Sequence, residues 1–124
     1  LQDAGSALGA GAMAIIDQKA NLLAAATNVL RFFRNESCGK CVPCRVGSTK
    51  AHAILTDLLE RGGGPGDVDH RITDLEENLR LTSICGLGQV ALGPVASVLE
   101  MYGRAEAPSA AEQVKNTPSS AEQV

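Results

Sequence analysis

The sequence predicts a mainly α-helical fold, a bundle of about four helices. Two observations carry this. The chain has 124 residues, 44% of them hydrophobic, enough for one modest core. Its only aromatic residues are Phe32, Phe33 and Tyr102 and it has no Trp, so that core must be built from Leu, Ile, Val and Ala, a mixture that suits packed helices more than a β-sandwich. In addition, apolar residues recur at helical spacing in four separate segments, whereas only one segment reads as a strand.

The elements follow in order. A Gly- and Ala-rich opening, Ala4 to Ala12, runs into Met13, Ala14, Ile15 and Ile16 before Asp17, which reads as one short buried strand. A lone strand needs partners, so this segment is expected to complete a sheet whose other strands lie upstream of Leu1, in a longer protein. From about Gln18 to Arg34, Leu22, Ala26, Val29, Leu30 and Phe33 mark one helical face. A second helix is expected from Pro43, a residue suited to a first turn, to Arg61, with Ala51, Ile54, Leu55, Leu58 and Leu59 inward and Gly62, Gly63 and Gly64 ending it. Asp67 or Asp69 should cap a third helix lined by Val68, Ile72, Leu75 and Leu79, its other face solvated through Asp74, Glu76, Glu77 and Arg80. A fourth carries Ala91, Val95, Val98, Leu99 and Tyr102, with Pro94 marking its true start rather than its interior. Beyond Gly103 the periodicity stops, and residues 104–124, with the near-duplicate SAAEQV and SSAEQV, are expected to be disordered.

Several function classes are disfavoured at once. A formal net charge of −3, with basic and acidic residues interspersed, gives no electrostatic footprint for nucleic acid. No apolar run approaches the ~20 residues of a membrane span, so direct membrane insertion is not expected. No Ser-His-Asp order, HExxH motif or evident carboxylate pair is present, so no catalytic residue is assigned. Gly5, Gly9 and Gly11 precede a strand instead of following one, the reverse of a phosphate-cradling loop. His52 and His70 read as ordinary surface or core residues rather than ligands.

The informative feature is the set of four cysteines. Cys38, Cys41 and Cys44 form C-x2-C-x2-C, and Cys85 follows far along the chain. Three closely spaced thiolates can wrap one compact cluster while a distant fourth closes the remaining iron, the logic of a 4Fe-4S site. Gly39 and Gly86, each directly after a cysteine, can let backbone N–H groups approach a negatively charged cluster. Lys40 and Arg45 supply positive charge, and a helix beginning near Pro43 points its N-terminal dipole the same way. The rival reading is a structural zinc site in a helical protein-interaction module without redox activity, although zinc favours two separated C-x2-C pairs. Two disulfides or inert buried thiols are further alternatives.

The run ESCGKCVPCRVG, Glu36 to Gly47, followed by SICGLG, Ser83 to Gly88, resembles the flavoprotein subunit of NADH dehydrogenases. That family includes the NADH-binding subunit of respiratory complex I, the diaphorase subunits of NAD-linked hydrogenases and the beta subunits of NAD-dependent formate dehydrogenases. The resemblance covers about residues 4 to 103 and is most specific at the cysteine triplet with its flanking Glu-Ser, Pro and Arg. It implies that Cys38, Cys41, Cys44 and Cys85 ligate a 4Fe-4S cluster in a helical domain, residues 18–103. Residues 1–17 would then be the end of a ubiquitin-like β domain. It further implies FMN and NAD(H) bound by upstream sequence, partner subunits that include an iron-sulfur subunit, and a cytoplasmic location, peripheral on the inner face of the membrane, or in the mitochondrial matrix if the source is a eukaryote. No catalysis is expected from this segment alone. Gln89 and Gly93-Pro94 stand where respiratory members usually carry an acidic and an aromatic residue, which leans the expectation toward a hydrogenase or formate dehydrogenase partner.

Overall fold

The computed structural model describes residues 9, 11, 13–17, 19–68 and 70–105. Among these the fold is mainly helical and contains no strand. Helix α1 spans Leu22–Asn35. A π-helical turn at Pro43–Gly47 leads into α2, Ser48–Glu60, and a 3-10 turn at Pro65–Asp67 precedes α3, Arg71–Thr82. The short helix α4, Gly86–Val90, and α5, Gly93–Ala105, complete the order. α1 packs on α2 and α5, and α3 packs on the π turn and α4.

Each boundary has a local cause. Asn21 sits in extended backbone and its side chain accepts a hydrogen bond from the Ala24 N–H at 3.0 Å, so α1 starts at Leu22 rather than near Gln18. Just upstream, Asp17 draws the chain into a turn, its side chain accepting from Lys19 N–H at 3.3 Å and its carbonyl from Ala20 N–H at 2.9 Å. Helix α2 ends in a Schellman motif. Gly62, at φ 73°, donates to the Leu59 carbonyl at 3.0 Å and Gly63 to that of Leu58 at 2.9 Å, using the left-handed backbone that glycine alone adopts freely. Pro94 falls in the first turn of α5, where its missing N–H is harmless, as the sequence indicates.

The core is aliphatic. Leu23, Leu30, Leu55, Ile72, Leu79, Leu92 and Val95 are essentially inaccessible, and burial of each such side chain contributes about 1.5–3 kcal/mol. Phe33, Ile54, Leu59, Val68, Leu75, Val98 and Leu99 pack around them half-buried.

Several elements differ in detail. Residues 13–17 form no strand and Met13 and Ile15 are exposed; the described residues offer no second segment with a hydrogen-bonding edge of the kind the expected sheet would supply. The inward face of α1 is Leu23, Ala26, Thr27 and Leu30, so Ala26 and Leu30 point inward as expected while Leu23 and Thr27 replace Leu22 and Val29. Thr27 is tolerated inside because its hydroxyl donates to the Leu23 carbonyl at 2.8 Å. Asp67 caps the 3-10 turn, accepting from the Gly64 N–H at 2.9 Å, while His70 occupies the position before α3; Asp69 lies outside the described residues. Helix α5 runs to Ala105, and the tail from residue 106, like Gly5, lies outside the described residues. No helix among the described residues is long and apolar enough to cross a membrane.

Leu55 is inaccessible within the α1, α2 and α5 contact, so Leu55→Ala is expected to destabilise the fold by about 2–5 kcal/mol, measured by anaerobic denaturant unfolding.

Candidate metal centre

Cys38 and Cys41 lie in the loop between α1 and the π turn, Cys44 within that turn, and Cys85 at the start of α4. Gly39 adopts φ 74°, so the chain reverses sharply after Cys38. Arg45 holds this loop: its Nη1 donates to the Gly39 carbonyl at 3.0 Å, and its backbone N–H donates to the Cys41 carbonyl at 3.1 Å. The π geometry fits here because π turns recur at functional sites, and it leaves the Cys44 side chain buried. Ser48 Oγ donates to the Cys44 carbonyl at 2.6 Å, fixing that residue from behind.

The second loop arrives from the end of α3. Ser83 N–H donates to the Leu79 carbonyl at 3.1 Å, and Ser83 and Cys85 then continue in extended backbone. Gln89 staples the loop, donating from Nε2 to the Ser83 carbonyl at 3.1 Å and from its backbone to the Cys85 carbonyl at 3.2 Å. Gly88 is the point of closest approach to the first loop. A Cβ there would stand 2.5 Å from Ser83 Oγ and 3.0 Å from Cys44 Cβ, so only a hydrogen fits. Near the same contact, the Ile84 N–H, and after it that of Cys44, hydrogen-bonds the Cys41 sulfur and holds that thiol below its ordinary pKa by favouring the thiolate.

The two loops therefore meet at Cys41 and Cys44, and each also carries an exposed cysteine, Cys38 and Cys85. All four thiols are free, so the disulfide alternative is not formed. No three His, Cys, Asp or Glu side chains among the described residues converge as ligands of a single ion. Of the charged neighbours, Arg45 serves as a loop brace and Lys40 is exposed. Gly86 lies in helical backbone, with open space where a Cβ would go.

The sequence reading missed three residues. Ser37 Oγ accepts from the Gly39 N–H at 3.3 Å and lies 3.2 Å from Cys44 Sγ; Ser83 is buried, its Oγ without a partner; Gly88 admits both loops. The signal open to it was position, since each serine lies within two residues of a cysteine. His52 lies in α2 and takes part in a different contact, its Nδ1 3.1 Å from Arg34 Nη1. Four free cysteine sulfurs, backbone N–H groups at the Cys41 sulfur and a buried hydroxyl without a partner among the described residues fit an iron-sulfur group.

The helical bundle brings a C-x2-C-x2-C loop and a second, distant cysteine-bearing loop into contact at Gly88. The family model for the NADH-ubiquinone oxidoreductase-F iron-sulfur binding region matches residues 24–107, and the chain belongs to that family. It is 35% identical over 97 residues to the HndC component of the NADP-reducing hydrogenase of Solidesulfovibrio fructosivorans, covering 78% of this chain and 20% of that protein. It is 35% identical over 99 residues to the F component of the NADH-quinone oxidoreductase of Streptomyces coelicolor, covering 80% and 22%. The corresponding component of the Mycobacterium bovis oxidoreductase is 34% identical over 99 residues, covering 80% and 22%. The chain thus spans about a fifth of the length of these curated relatives.

Gly88→Ala is expected to force the loops apart, lowering stability by about 1–3 kcal/mol and iron content several-fold. Gly93→Ala, whose Cβ meets open space, should leave both unchanged in parallel unfolding and iron assays. A second prediction concerns pH. Burial, then the Arg34 and Arg31 charges, hold His52 below its ordinary 6.5, so the unfolded chain takes up a proton first. The stability associated with neutral His52 is intact above pH 6.5 and lost as pH falls through the folded value. The thermal midpoint should fall more steeply between about pH 7 and pH 5 in the parent than in His52→Gln.

Proposed function

We propose that Cys38, Cys41, Cys44 and Cys85 together hold one 4Fe-4S cluster, and that the domain relays electrons within an NADH-linked flavoprotein oxidoreductase. The observation that supports this most is the meeting of the two cysteine loops at Gly88, far apart in sequence and in contact through Cys44. Family membership points the same way, and its description is an iron-sulfur binding region.

The cluster, when bound, supplies a one-electron site whose potential the protein sets through charge, hydrogen bonding and exposure. The chain's own residues do the rest. The four thiolates bind, Gly39 turns the first loop, Arg45 braces it, and Lys40 adds positive charge nearby. The Ile84 N–H favours the Cys41 thiolate needed for ligation. Exposed Val42 and Ile84, beside Cys41 and Cys85, give an apolar rim against which a redox partner can exclude water.

In this reading electrons come from FMN, itself reduced by NADH, in sequence preceding Leu1, and leave toward an iron-sulfur partner subunit. Residues 1–17 end the preceding ubiquitin-like domain, and the cluster domain begins at 18 and takes in α5. The setting is the cytoplasmic side of the membrane, or the matrix in a eukaryote. The relatives include both hydrogenase and quinone-linked proteins, so the distant substrate is left open.

Anaerobically purified protein is expected to contain about four irons and four sulfides per chain and to give a cluster EPR signal after dithionite reduction. Cys41→Ser should lose or degrade that cluster. About one zinc with no sulfide, reproduced after iron-rich expression, would replace the redox reading with a structural zinc module.

A further inference from the structure

Resting on the cluster assignment above, we propose that Ser37 and Ser83 are positioning residues that raise the cluster's reduction potential by donating hydroxyl hydrogen bonds to its sulfur shell at the Cys44 corner.

Ser37 Oγ accepts the Gly39 N–H at 3.3 Å and keeps its own hydrogen to give, with Cys44 Sγ 3.2 Å away. A thiolate at Cys44 can only accept, so ligation strengthens this bond. Cys44 is the buried thiol of the four, where low local polarity makes each such bond count for more.

Ser83 supplies the independent observation. Its side chain is 6% exposed, and its Oγ is a buried polar atom without a hydrogen-bond partner among the described residues. Buried hydroxyls without partners are uncommon and unfavourable, so one that persists indicates an acceptor it is built to meet. A Cβ on Gly88 would meet both Ser83 Oγ and Cys44 Cβ, which puts the two residues on either side of one glycine, and the next cysteine, Cys85, is two residues along the same loop. The acceptor that chemistry offers there is sulfur, from a thiolate or a cluster sulfide.

Reduction adds one electron, and one negative charge, to the cluster and its thiolates; no bond is made or broken and no proton moves. Hydroxyl donors aimed at sulfur stabilise the more negative state and raise the potential. Removing either hydroxyl should disfavour reduction about tenfold, a fall of about 59 mV for a one-electron couple.

The test is an EPR-monitored redox titration of the iron-sulfur-loaded protein, with iron and sulfide assayed first. Parental protein without iron and sulfide would sink the cluster reading itself. With a full cluster, Ser37→Ala and Ser83→Ala should each titrate about 59 mV lower, and Ser37→Thr, which keeps the hydroxyl, should match the parent. Removing an unpaired buried hydroxyl does not harm the cluster-free fold, so Ser83→Ala should unfold no more readily than the parent before loading. Should Ser37→Ala fail to load, the Ser83→Ala potential decides alone. Parental potentials in loaded Ala variants would overturn the inference while leaving the cluster reading intact.

Discussion

Everything at the candidate centre depends on one contact, the close approach of the 83–88 loop to Cys44 across Gly88. Without it the triplet and Cys85 are simply parts of two loops. The contact is possible because Gly88 presents only a hydrogen where any larger residue would meet Ser83 and Cys44 Cβ. Two elements bring the loops to it. The π turn carries Cys44 into the interior, and α3 delivers Ser83 from the core position Leu79. The aliphatic core of α1, α2, α3 and α5 is therefore the frame that sets the distance between cysteine loops.

The centre is asymmetric, and this has chemical consequences. Cys44 is buried with hydroxyls nearby, Cys41 receives N–H groups from both loops, and Cys38 and Cys85 are exposed. An electron carrier needs both conditions. A sheltered side permits hydrogen bonds to sulfur to set the potential, and an accessible side permits close approach of a partner. Arg45 joins the two by bracing the Gly39 turn from within the π segment, its Nη1 donating to the Gly39 carbonyl.

Much of this was legible in the sequence, for definite reasons. The helices that pack on the core announce themselves because burial on one face imposes helical spacing, as Ala51, Leu55 and Leu58 show. The C-x2-C-x2-C loop is legible because the chemistry constrains residue type and spacing together. Less visible were features that arise only on packing. The face of α1 is legible at Ala26, Leu30 and Phe33, but Leu22 and Leu23 are both apolar, and tertiary contact alone selects Leu23. The α4 turn is too short to show a period. Gly86 and Gly88 look alike in the sequence, yet only Gly88 is a point of close approach, since that depends on a loop arriving from Cys44. Ser37 and Ser83 stand in the cysteine motifs without a visible role, because serine is common in loops and only the placed hydroxyls distinguish them. The Met13 to Ile16 segment shows the converse: an apolar run is a strand only when a partner edge is present.

The most direct test of the account is a crystal structure of the anaerobically loaded protein with anomalous data at the iron edge. The account predicts one compact iron site bounded by the sulfurs of Cys38, Cys41, Cys44 and Cys85, with Gly88 still packed against Cys44. Iron held without Cys85, or a single zinc in place of iron, would contradict it.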